Sequence, residues 1–318
     1  MAKLQSTEIV GVANRPATIC SNSVCMWFDT TNLKPMASYC SRSGAGVWSA
    51  GGALITGRSS ASGAGSQNEG LIVGGLTSVV VSCTEEYNGT SWSVGGALIV
   101  GRRLGGVLGS QNVGLIGGGC TTVAVSCTEE YNGSTWSVGG ALITGRYILT
   151  GVGTQNEGLV AGGYINVVLS CTEEYNGTSW SVGGALATAR YSPAGAGAQN
   201  SGLMAGGNPG TANTNATEEY NGTSWAAGGG LIVSRRLLVG AGTQNQGLAA
   251  GGYTNVNSSN TEEYDGTSWA TANSMTTARY SLAGAGSQGA SLVVGGNVGQ
   301  NCTEEYLKSS YTIVDCVL

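Results

Sequence analysis

Histidine is absent from this 318-residue chain, phenylalanine occurs once, proline four times, and charged residues make up only 10%. Without histidine there is no Ser–His or Cys–His nucleophile pair and no imidazole metal site. A net charge of −5 with few basic residues leaves no stripe to follow a phosphate backbone, so no nucleic-acid partner is expected. No apolar run approaches the ~20 residues of a membrane-spanning helix. The opening residues, Met1 to Glu8, carry no apolar leader segment, which predicts that general secretion is not used. Nine cysteines are present, but Cys83, Cys127, Cys171 and Cys302 each precede the same Thr-Glu-Glu-Tyr tetrad. Equivalent sites one unit apart lie beyond the ~7 Å reach of a disulfide, so these four are expected as small buried apolar side chains. Cys20, Cys25 and Cys40, or Cys120 with Cys127, remain the candidate pairs.

Glycine, by contrast, fills 56 positions without a collagen period. A repeat explains it. Trp48, Trp92, Trp136, Trp180, Trp225 and Trp269 stand 44, 44, 44, 45 and 44 residues apart. Six Thr-Glu-Glu-Tyr tetrads end at Tyr87, Tyr131, Tyr175, Tyr220, Tyr264 and Tyr306, and six arginines (Arg58, Arg102, Arg146, Arg190, Arg235, Arg279) keep step. A period of this length marks a unit that buries its faces only against copies of itself. In residues 58 to 98 the unit reads as four short strands: a run of small residues to Gln67, then Leu71–Val73, then Cys83–Tyr87, then, after an Asn88-Gly89 turn, Ser91–Leu98. Six such units predict an all-β fold, a six-bladed β-propeller of four-stranded antiparallel blades, with the small-residue strand innermost where space runs out.

The Gly-Gly pair ending strand two, the tyrosine of strand three, the tryptophan opening strand four and the arginine before the next unit together resemble the kelch repeat of galactose-oxidase-type propellers, over roughly residues 46 to 306. The wording Thr-Glu-Glu-Tyr-Asn-Gly-Thr-Ser-Trp also resembles kelch-like virion proteins of bacteriophages of the cyanophage type. The resemblance implies a binding propeller and brings no catalytic residue; a galactose-oxidase copper centre needs histidines that are missing. No cofactor and no metal are expected.

Trp48 has no tetrad before it and Tyr306 no tryptophan after it, so the strand around Trp48 is expected to complete the last blade. The alternative is seven blades, with the tail 310–318 as a fourth strand of its own. Residues 1–45 lie outside the repeat and read as a β-hairpin extension serving as tether, with 46–318 as propeller.

Twelve of the 18 acidic residues are the tetrad glutamates. Adjacent strand residues diverge to opposite faces, so an Arg–Glu tie between blades is expected rather than a converging pair of glycosidase carboxylates. Gln67, Gln111, Gln155, Gln199, Gln244 and Gln288 are expected to satisfy turn backbone groups.

Function is expected where the copies differ, on the strand 2–3 and 4–1 connections. Arg103, Tyr147, Tyr191, Arg236 and Tyr280 follow the periodic arginines, and Tyr164, Asn208, Asn213, Tyr253 and Asn255 sit in the 2–3 connections. Arg103, Tyr147, Tyr164, Tyr191, Arg236, Tyr253 and Tyr280 are the candidate ligand- or partner-binding residues, tyrosine suiting sugars in particular. The 2–3 connections of the first three units are apolar, those of the last three polar. Trp27, Phe28 and Met36 of the hairpin, with Val80, Ala124 and Val168 of the apolar connections, are the candidate assembly contact.

These features predict a non-enzymatic phage virion protein (fibre, tail or head decoration). Its expected partners are other virion proteins, copies of itself, or a host-surface glycan. A cellular kelch-type interaction scaffold is the alternative, and a glycan-processing propeller enzyme the third reading.

Overall fold

The computed structural model describes residues 10–12, 24–29, 34–41, 46–297, 301–308 and 312–317, and falls into two compact units. The larger, Val47–Leu307, is a ring of six four-stranded antiparallel blades, and no helix occurs among the described residues. Blade one comprises Ser62–Gly65, Gly70–Val73, Thr84–Tyr87 and Trp92–Val94, in that spatial order. Blades two to five repeat it, and blade three adds a two-stranded hairpin, Tyr164–Ile165 with Val167–Val168.

Blade six is built from both ends of the ring. Its first three strands are Ala283–Ser287, Ala290–Val294 and Thr303–Leu307, and its fourth is Val47–Ala50, paired Trp48 to Tyr306. That settles closure as six blades. The tail strand Thr312–Val317 pairs elsewhere, with Lys34–Ser41, so the seven-bladed alternative is excluded. Residues 308–318 accordingly group with the first unit, not with the ring as the boundary at 46–318 expected. That first unit contains the expected hairpin, Val24–Asp29 with Lys34–Ser41, flanked by Val10–Val12 and the tail strand.

Apolar side chains fill the gaps between neighbouring blades. Ala64, Leu71 and Val73 of blade one, for example, pack with Val107, Ile116, Tyr131 and Trp136 of blade two. The innermost strands touch one another around the axis. At Gly240 a Cβ would lie 2.3 Å from the carbonyl oxygen of Gly195 in the adjacent inner strand, so side chains are excluded there. The Gly-Gly pairs turn at positive φ, 59° and 114° at Gly74 and Gly75, a conformation that suits glycine.

The recurring polar residues form the ring's joints. Each periodic arginine is fully buried and ion-paired with the first tetrad glutamate of its own blade: Arg58 with Glu85, Arg102 with Glu129, Arg146 with Glu173, Arg190 with Glu218, Arg235 with Glu262, Arg279 with Glu304. The expected tie between blades is therefore a tie within one. The same carboxylate also accepts the N–H groups of the incoming connection, as Glu85 does from Ile55 (2.8 Å) and Thr56 (3.1 Å).

The second glutamate makes the join between blades instead. Each tetrad tyrosine donates its hydroxyl to the second glutamate of the preceding blade, at 2.5–2.8 Å, from Tyr131 to Glu86 around to Tyr87 on Glu305. Each tryptophan Nε1 donates to the tetrad threonine of the preceding blade, and each glutamine amide to that blade's tyrosine carbonyl, as Trp136 does to Thr84 (3.0 Å) and Gln111 to Tyr87 (2.7 Å). The glutamines thus bind backbone as expected, but across the blade gap.

Burial first, and then the hydrogen bond to the glutamate, pushes the hydroxyls of Tyr131, Tyr175, Tyr220 and Tyr264 up to about 12. A folded-state value raised above the ordinary 10 means stability is present below pH 10 and is lost as pH rises through 12. Denaturant midpoints are expected to hold to about pH 10 and then fall, and tyrosine ionisation followed by ultraviolet absorbance should track that fall. A midpoint flat to pH 12 would contradict the tyrosine–glutamate join between blades.

Cys83, Cys127, Cys171 and Cys302 are free and half-buried rather than buried, because each sits just outside the paired segment. Cys120 and Cys127 are both free, so that candidate disulfide is not formed. Cys20 and the side chains of Cys25 and Cys40, the other candidate pairing, lie outside what is described. The Asn-Gly turns are held by their own first side chain: Asn88 Oδ1 accepts the N–H groups of Thr90 (3.0 Å) and Ser91 (2.9 Å), and Asp265 fills the same role.

Candidate functional site

The 4–1 and 2–3 connections meet on one face of the ring, held by backbone bridges: Ser59 to Leu76, Arg103 to Cys120, Tyr147 to Tyr164, Tyr191 to Asn208, Arg236 to Tyr253. In blade six Tyr280 and Asn297 exchange the equivalent bonds, the Tyr280 N–H donating to Asn297 Oδ1 at 2.9 Å. All seven candidate binding residues therefore lie on one face, and they form two arcs.

In the first arc Tyr147 and Tyr164 meet edge to face at 5.7 Å, and Tyr164 and Tyr191 at 5.9 Å. Arg103 stands next to Tyr147 on the blade-two side. Burial pushes the Tyr147 hydroxyl up, helped by Cys120 and Tyr164 and opposed by the Arg103 guanidinium. In the second arc Arg236 lies over the Tyr253 ring at 5.1 Å, and Tyr253 meets Tyr280 at 5.0 Å. Asn213 joins this arc, accepting from Arg236 at 3.0 Å and donating to the Tyr253 carbonyl at 2.8 Å.

The arcs surround the axis, where the residues next along the chain form a ring of their own. Ser60, Leu104, Ile148, Ser192, Leu237 and Ser281 all have left-handed φ of 56–58°. Each donates its N–H to the carbonyl of its predecessor at 2.8–3.1 Å, and Ser60 closes the circle on Ser281. They line an axial pocket of about 90 Å³, and the Ser192 hydroxyl is buried without a partner. Sequence reasoning missed this ring. Left-handed backbone announces itself through glycine or asparagine, and these positions hold serine, leucine and isoleucine.

Val80, Ala124 and Val168 are half-buried, and the exposed members of their triplets are Val79, Val123 and Val167. Val256 is equally exposed in blade five, so the apolar tips are not confined to the first three blades. Trp27 and Phe28 lie on Val24–Asp29 and Met36 on Lys34–Ser41; their side chains are outside the described residues.

Chemically the face offers aromatic rings, amides, aliphatic tips and two arginines. Among the described residues, the carboxylates nearest it are the first tetrad glutamates, each already held by an arginine. Glu69, Glu157 and Asp265 belong to the 1–2 and 3–4 turns on the other side of the ring. No group of three His, Cys, Asp or Glu that could hold a metal occurs among the described residues.

No protein-family model matches the chain, and no curated protein matches it. Among solved structures it is similar to YjhT, with a TM-score of 0.66 and 13% identity over 82% of this chain and 99% of that one. At that identity the likeness is one of fold, and the fold is a six-bladed β-propeller.

Proposed function

We propose that this protein is a non-catalytic binding propeller of the kelch type, a bacteriophage virion structural or appendage protein whose variable face meets a host-surface glycan. One observation carries the binding reading. The recurring Arg, Glu, Tyr, Trp, Thr and Gln side chains all serve the joints of the ring, while residues that differ between copies gather on one face as tyrosine, arginine and asparagine. Tyrosine rings in a fixed frame present stacking surface at small entropic cost, which suits saccharides. The virion assignment rests on the resemblance of the repeat to phage kelch-like proteins.

Mass spectrometry of purified particles is expected to find the chain, and a glycan array probed with the full-length protein to show binding that Tyr164→Ala weakens. Turnover of glycosides by the purified protein, or its absence from particles, would overturn the proposal.

The exposed Val79, Val123, Val167 and Val256 favour a second reading, a neighbouring virion protein seated on the same face. Cross-links from that face to another virion protein, with no glycan bound, would select it.

A further inference from the structure

The two arcs differ in the state of their arginines. Arg236 is already engaged, its guanidinium donating to Asn213 and lying over Tyr253. Arg103 has no ion pair and no side-chain hydrogen bond among the described residues, and its Nε is buried without a partner. Five of the six periodic arginines also leave an Nε unpartnered, Arg102 alone donating its own to the Val100 carbonyl, but all six have their glutamate. Arg103 has none. A half-buried cation without a counter-charge, on a face whose nearest carboxylates are taken, is a group awaiting an anion.

Resting on the glycan reading, we propose that the first arc is the subsite for an acidic saccharide, with its carboxylate on Arg103 and its sugar rings along Tyr147, Tyr164 and Tyr191. Because Nε is buried, the ligand meets the terminal Nη pair, whose planar fork matches the two oxygens of a carboxylate. One cation balances one negative charge, which favours a uronate-type monoanion over a phosphate dianion. The tyrosines step away from Arg103 across blades three and four with alternating ring planes, 78° and 72° between neighbours. That arrangement gives successive sugar units an edge and then a face to pack on.

The test is calorimetry of the full-length protein with an oligogalacturonate and with its methyl ester of the same length, which removes the charge and keeps the sugar. The acid is expected to bind at least tenfold more tightly, with affinity falling as salt is raised. Arg103→Gln should abolish that preference by weakening the acid, with the melting temperature unchanged. Equal binding of acid and ester, or a preference that survives Arg103→Gln, overturns the carboxylate subsite while the glycan reading stands. If neither form binds and a panel of neutral and acidic saccharides also fails, both fall.

Discussion

Arg146→Ala is expected to lower the stability of the ring by about 3–5 kcal/mol, the usual cost of leaving one member of a buried ion pair uncompensated. The side chains of Arg146 and Glu173 are 0% and 3% exposed and meet at 2.8 Å. Glu173 also holds the N–H groups of Ile143 (2.7 Å) and Thr144 (3.2 Å), so the damage extends to the connection from blade two. Replacing both partners, Arg146→Met with Glu173→Leu, should cost less than the single change, because no buried charge is orphaned. Thermal melts of the three proteins decide the matter. An unchanged melting temperature for Arg146→Ala, or a double variant worse than the single, would remove the ion pair from the account. Ligand binding by Arg146→Ala below its melting temperature should be unchanged, since Arg146 takes no part in the arcs.

The second large effect is expected at the axis. Gly240→Ala adds one methyl group, yet that methyl meets the Gly195 oxygen at 2.3 Å and its nitrogen at 2.6 Å. Both contacts are backbone on a neighbouring inner strand, so no rotamer change relieves them. Overpacking of this kind costs about 1–3 kcal/mol, and here the upper end is expected because two strands must separate. Ala241→Gly, one residue along the same strand, supplies the comparison: Ala241 packs between blades, and losing its methyl should cost ~1 kcal/mol. Denaturant midpoints that rank the two variants the other way would show that the inner strands are less crowded than the contacts imply.

The architecture was legible because it depends on period. Six tryptophans in step, an Asn-Gly turn at a fixed offset, and a strand of small residues leave few folds that could accommodate them. Closure was legible too, from a tryptophan lacking its tetrad at one end and a tetrad lacking its tryptophan at the other. The joints were less so. Strand alternation shows that Glu85 and Glu86 face opposite ways, but not which neighbour each face meets; the arginine proved to belong to the same blade and the tyrosine to the next. The variable face was found by looking for differences between copies, which brought Arg103, Tyr147 and Tyr164 onto one surface. Val256 escaped notice because Asn255 and Asn257 on either side made its connection read as polar, whereas exposure in a tight bend is decided residue by residue. The tail was read as a strand only in the seven-bladed alternative, and its partner escaped because pairing with Lys34–Ser41 has no sequence period to reveal it.

Closure by Val47–Ala50 also has a mechanical consequence. Val47 and Leu307 are register partners, so the ring's two exits, at Gly46 and Lys308, leave from the same end of one antiparallel pair. A force that separates the two exits loads the hydrogen bonds of that pair one after another, the unzipping geometry, and blade six yields first. A force shared by both exits puts no shear across the pair and passes into the ring as a whole. Mechanical strength therefore depends on the two exits being pulled together, and blade six is the seam at which the ring would tear.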